Sequence, residues 1–174
     1  VMQGAKEKKE YFTKVLANTF KDAKVKDYGL RLLTPTATEV AVSFEASNLM
    51  RKDKDYAYLS LKNPYLFNSD FNISLMRENR QTPLVFPTAF CGDLKALIKF
   101  PKQWKVTYLP EKVTLENELA SLSIDCVSAD GEISITKRLT LKNRTVSPQD
   151  YSKLRNLLLN GELEKNNTVI FQLQ

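Results

Sequence analysis

The side chains able to do covalent or acid–base chemistry are few and poorly accompanied. Cys91 stands before Gly92 and Asp93 in a position that suggests a nucleophile, but a thiol needs a base to take its proton, and this chain holds no histidine. The same absence removes Ser/His pairs and zinc sites with imidazole ligands. Cys126 has no CxxC or Cys/His companion, so the two cysteines are either two buried or semi-buried thiols or one disulfide. Two carboxylate pairs, Asp53 with Asp55 and Glu116 with Glu118, could draw a calcium ion or serve a hydrolase, yet neither sits in an alternating oxygen-ligand loop. The glycines at 4, 29, 92, 131 and 161 match no phosphate-cradling spacing. The expectation is a chain without catalytic residues, metal or cofactor.

Charge narrows the partners little. The formal charge is +6, but basic and acidic residues interleave, as in Lys6-Glu7-Lys8-Lys9-Glu10 and Arg51-Lys52-Asp53-Lys54-Asp55, the pattern of a solvated surface. Lys95, Lys99, Lys102 and Lys105 lie near Phe100, Trp104 and Tyr108, a mixture used on single-stranded nucleic acid. Alternation along strands would instead send the rings inward and the lysines outward, so no specific nucleic acid is expected. No apolar run reaches the length of a membrane span. The opening Val1-Met2-Gln3-Gly4 lacks the apolar centre of a secretory signal, so an exported parent would carry its signal upstream or have lost it.

The elements that must position these groups read as mainly β. Phe12, Val15, Leu16, Thr19 and Phe20 share one side of a helix over 5–21. From residue 25 the period drops to two: Val40, Val42, Phe44 and Ala46 alternate with smaller or polar residues. A charged turn at Arg51 to Asp55 leads into Tyr56 to Leu61, and residues 62–93 are irregular apart from a short edge strand, Leu84-Val85-Phe86, between prolines. Leu94 to Phe100 and Trp104 to Leu109 form strands that each end at proline. Leu122, Ile124 and Cys126, then Asp130-Gly131, then Ile133, Ile135, Leu139 and Leu141 make a β-hairpin, with Lys137 suggesting a bulge or a departure from the core near the middle of the second strand. Ser147-Pro148-Gln149-Asp150 starts a helix whose stripe is Tyr151, Leu154, Leu157 and Leu158 and whose stop is Asn160-Gly161. Val169, Phe171 and Leu173 close the chain as a strand.

The fold expected is an antiparallel, immunoglobulin-like β-sandwich over 24–174, alone or with a small extra sheet, flanked by an N-terminal helix within 1–23 and a short helix before the last strand. Its core should include Val42, Phe44, Leu59, Ile98, Trp104, Leu122, Ile124, Ile135, Leu139, Tyr151, Leu154 and Phe171.

Four segments carry a family pattern: Arg77-Glu78-Asn79-Arg80-Gln81-Thr82-Pro83; Ile98 to Val106 through Phe100-Pro101; Leu109-Pro110; and Pro148-Gln149-Asp150-Tyr151. In that order, over roughly 35–174, they resemble the C-terminal β domain, a domain of unknown function, of bacterial transglutaminase-like proteins, especially those of Bacteroidetes. Phe100 stands where a leucine or isoleucine is expected, which keeps an apolar plug. The resemblance implies a papain-like transglutaminase core upstream whose catalytic residues have no counterpart here. It also implies an extracytoplasmic, periplasmic or surface-associated, setting and a non-catalytic accessory role, packed on the upstream catalytic domain. The large apolar groups least tied to strands, Phe12, Val15, Leu16, Phe20, Phe67, Phe71 and Phe86, are the candidate interdomain surface. The alternatives are a glycan- or protein-binding module using Tyr56, Tyr58 and Tyr65, and a carboxylate-based hydrolase.

Overall fold

The computed structural model describes residues 5–17, 22–46, 49–60, 78–129, 131–161, 163 and 166–173. The chain divides into two compact units, Val1–Arg51 and Lys52–Gln174. The first joins helix α1 (Ala5–Ala17) to a long hairpin of β1 (Lys24–Thr34) and β2 (Ala37–Glu45). Its small core is Leu16, Ala23 and Val25, with Phe12, Val42, Phe44 and Ala46 packed against them. A bulge between Val25 and Asp27 keeps Val25 opposite Phe44 and Tyr28 opposite Val42, so the larger side chains share the face that α1 covers.

The second unit carries two antiparallel four-stranded sheets in a sandwich-like arrangement. One has the order β6 (Phe90–Lys99), β10 (Glu132–Leu141), β9 (Ala120–Ala129), β8 (Val113–Glu116). The other runs β3 (Met50–Asp53), β4 (Tyr56–Ser60), β12 (Thr168–Gln172), β7 (Lys105–Tyr108). The expected charged turn shortens to Lys54-Asp55, because Met50 to Asp53 are already extended, and Lys54 takes the left-handed backbone at φ 49°. A two-stranded ribbon pairs β5 (Leu84–Val85) with β11 (Thr145–Val146), the edge strand expected between prolines.

Burial follows the alternation. Ile133, Ile135, Leu139 and Leu141 of β10 and Leu122 and Ile124 of β9 point inward, and α2 (Tyr151–Gly161) lays Tyr151, Leu154, Leu157 and Leu158 onto the Leu122–Leu139–Leu141 end. On the other sheet Ala57, Leu59, Val169 and Phe171 are buried, and the Phe171 ring meets Phe100 and Trp104 at 5.0 and 5.8 Å. Of the expected core, Val42, Phe44, Ile98 and Trp104 are half-buried and the rest are buried.

One local reading is corrected. Lys137 makes no bulge: β10 keeps unbroken register with both neighbours, and Lys137 points inward at 3% exposure, its Nζ donating to Asn167 Oδ1 at 2.5 Å. The helix α2 ends at Gly161 as expected, without a left-handed backbone there, since among the described glycines only Gly131 has positive φ. The glycine is needed for proximity, because a Cβ there would lie 2.3 Å from Leu122 Cδ2.

Candidate functional site

The groups that could do chemistry are held apart or already paired. Cys91, expected to be buried or semi-buried, lies exposed on the outer side of β6; Cys126 of β9 faces inward, with β10 between the two strands. Both are free thiols, because side chains on opposite faces of one sheet cannot approach to disulfide distance. Thr140 Oγ1 donates to Cys91 Sγ at 3.3 Å, and Asp93, the nearest acid in sequence, is engaged by Arg138 across the strand pair at 2.5 and 2.8 Å. Those hydrogen bonds hold the Asp93 carboxyl below the usual range, so it is a poor base. Burial pushes the Cys126 thiol up, against the opposing pull of Lys137 nearby.

Glu116 and Glu118 are divided between two lysines. Lys142 holds Glu116 at 2.7 Å, while Lys153 holds Glu118 at 2.6 Å and Asp150 at 3.1 Å; each carboxyl is lowered by its partner. Asp53 lies on β3 and Glu116 on β8, in different sheets. Among the described residues no three His, Cys, Asp or Glu side chains gather to hold a metal ion. The lysine and aromatic group of 95–108 separates as well: Lys95 and Lys99 are exposed on β6, whereas Phe100 and Trp104 pack on Phe171.

Of the candidate interdomain residues whose side chains are described, two lie inside. Leu16 is 6% exposed in the core of the first unit and Phe86 is 7% exposed in the core under α2, so neither forms a surface patch. Phe12 is half-buried against Tyr28, ring centroids 5.5 Å apart. Phe20, Tyr65, Phe67 and Phe71, and the side chain of Val15, lie outside the described residues. Exposed apolar side chains among the described residues include a strip on the outer half of the β1–β2 hairpin. Leu30 pairs with Val40 and Leu32 with Thr38, continuing the face that α1 covers nearer its base; Leu30, Leu32 (69% exposed) and Val40 all stand in solvent. Sequence alternation marked Val40 as a core residue but carried no sign that the packing around α1 stops at Val42.

Tyr56 and Tyr58 do lie on a surface. Ala57 and Leu59 turn inward on β4, leaving Tyr56 and Tyr58 outward, and the register sets Tyr58, Ile170 and Tyr108 in one row across three strands. Beyond Tyr108 an open groove of about 480 Å³ runs between the β7–β8 connection and the end of α2. Tyr108, Glu111, Lys112, Thr114, Asn160 and Asn166 are among its walls.

The segments that carry the sequence resemblance have structural roles. Arg80 Nε donates to Thr82 O at 3.0 Å, and its guanidinium lies 6.0 Å from the centre of the buried Tyr151 ring, so the Arg-x-x-Pro and Pro-x-x-Tyr segments meet. Ser147 Oγ accepts from Asp150 N at 3.1 Å and donates to Asp150 Oδ2 at 2.9 Å, closing the turn before α2.

The sequence profile of a domain of unknown function, DUF3858, matches residues 56–171. The chain belongs to the DUF3858 family. A comparison with curated proteins finds no match. The fold is also similar to a crystal structure from Parabacteroides distasonis described as a putative protease, with 14% identity and a TM-score of 0.60 over 68% of this chain. This chain spans 23% of that protein's length. Among the described residues no helix of the DUF3858 chain is long and apolar enough to cross a membrane.

Proposed function

We propose that this DUF3858 chain is a non-catalytic accessory module of a longer, extracytoplasmic, transglutaminase-like protein, and that it supports the catalytic domain by docking against it. The reading is carried by one observation: the fold recurs as 23% of a longer chain, while the nucleophile and carboxylates present here are spread over different faces or tied to Arg138, Lys142 and Lys153. The docking face is the outer half of the β1–β2 hairpin. It continues an apolar face that α1 already covers, and Leu30, Leu32 and Val40 together would gain several kcal/mol on burial, at about 1.5–3 kcal/mol for a fully buried aliphatic side chain. The occupant is the catalytic domain of the same polypeptide.

The test is calorimetric titration of the separately expressed catalytic domain with this chain, with glutamine–lysine cross-linking and peptide hydrolysis assayed for each alone. Saturable binding that Leu32→Asp weakens at least about tenfold is expected, a loss of about 1.4 kcal/mol, with no turnover by this chain. Turnover that disappears with Cys91→Ser would overturn the non-catalytic reading, and binding indifferent to Leu32→Asp would overturn the assigned face.

A further inference from the structure

Strand β6 is an edge of its four-stranded sheet, where among the described residues it pairs with β10 alone. Phe100 N donates to Gly131 O at 3.0 Å, and these two residues continue the β6–β10 register by one pair. Hydrogen-bonded pairs alternate with non-bonded ones in an antiparallel ladder, so Ile98, Ala96, Leu94 and Gly92 also turn their N–H and C=O groups to β10. Lys99, Leu97, Lys95, Asp93 and Cys91 turn theirs to the edge, and no backbone hydrogen bond of the described residues takes them up there. An open edge of ten residues is a template for a further strand. Lysines on such an edge ordinarily discourage pairing. The charges of β6, however, are spaced so that the strand complements itself. Lys99 is paired with Glu132 at 3.2 Å and Asp93 with Arg138, both partners on β10, while the exposed Lys95 between them has no ion-pair partner among the described residues.

We propose that β6 pairs antiparallel with β6 of a second copy of this chain, about a two-fold axis at Leu94, joining the two sheets into one. In that register Asp93 of each copy stands opposite Lys95 of the other, so symmetry makes the contact twice. Cys91 stands opposite Leu97, which is 61% exposed in the single chain, and the pairing shields it. On the inner face Leu94 meets its own counterpart and Gly92 meets Ala96, extending a face on which Leu94, Ala96 and Ile98 are half-buried. Neighbouring registers fail on the same grounds. An axis at Lys95 or at Asp93 sets that charge against itself, and an odd shift opposes inward with outward side chains. An axis at Ala96 shortens the ladder, leaves Lys95 beside Leu97 and sets Asp93 against Lys99, which Glu132 already holds. The surface uses none of the hairpin residues assigned to interdomain docking, so either assignment can fail without the other.

The experiment is sedimentation equilibrium of the 174-residue chain, with backbone amide exchange followed by NMR. The mass is expected to rise from one chain to two between about 1 μM and about 1 mM. With rising concentration exchange should slow at Asp93, Lys95 and Leu97, whose amides face the edge, and stay constant at Leu94 and Ala96, which already bond to β10. Lys95→Glu and Asp93→Lys each create two like-charge contacts and should each weaken the dimer about tenfold or more. Mixed in equal amounts, the two variants bring opposite charges together at both contacts and should recover a heterodimer, which misfolding of either could not produce. A chain that stays monomeric up to about 1 mM, a dimer indifferent to Lys95→Glu, a dimer broken by Leu32→Asp instead, or variants that fail to recover on mixing would overturn the proposal.

Discussion

Lys137 illustrates a side chain whose role depends on a partner far away in sequence. Alternation of Leu139, Ile135 and Ile133 places it on the buried face, and its charge argues for an exit from the core, hence the expectation of a bulge. The structure keeps the register and supplies Asn167, whose Oδ1 accepts from Lys137 while its Nδ2 donates to Gly161 O and Leu163 O at 2.8 and 2.9 Å. A buried cation thus reaches the carbonyl end of α2, where positive charge is favoured. Asn167→Leu should cost about 2–4 kcal/mol in urea unfolding, because it takes one acceptor from a buried ammonium and the donor from two carbonyls. Lys137→Met, which keeps the stem and removes the charge, should cost less. The reverse order would show that the lysine draws its support from other groups. Gly161 offers a second test: Gly161→Ala drives a methyl into Leu122 and should lose about 1–3 kcal/mol by overpacking, although alanine favours helix. A gain in stability would mean that Leu122 yields freely.

Among the elements, those specified by local chemistry were legible. The β9–β10 hairpin follows from alternation around Asp130-Gly131, and Gly131 adopts φ 81° as such a turn requires. The start of α2 follows from Ser147 and Asp150. What alternation could not specify is coverage: β2 reads as half-buried along its length, but the packing around α1 stops at Val42, so the apolar strip from Leu30 to Val40 appears only in the folded chain. Tyr108 shows the same limit, for its strand gave no sign of the Tyr58–Ile170 row beside it.

The loop from β8 to β9 and the start of α2 are also joined electrostatically, through Lys153 with Glu118 and Asp150 and through Lys142 with Glu116. Each of these carboxyls titrates below its unfolded value, so the stabilisation is complete above the unfolded pKa and is lost as pH falls through the folded one. The urea midpoint should therefore decline between about pH 5 and about pH 2.5, with no histidine to contribute. Lys153→Met should flatten part of that decline. An unchanged slope would show that these exposed pairs add nothing to the folded state.

For the whole molecule, the two units have separate cores, and the proposed accessory role supplies a partner for the uncovered apolar hairpin of the first. Burial of an exposed sheet face slows local opening, so docking must register in hydrogen exchange even where no side chain changes conformation. The most direct test of the accessory role compares amide exchange over Leu30–Val42 in the isolated chain and in the intact parent protein. The account predicts exchange at least about tenfold slower in the parent across the hairpin, with β9 and β10 nearly unchanged; equal hairpin rates in the two would contradict it.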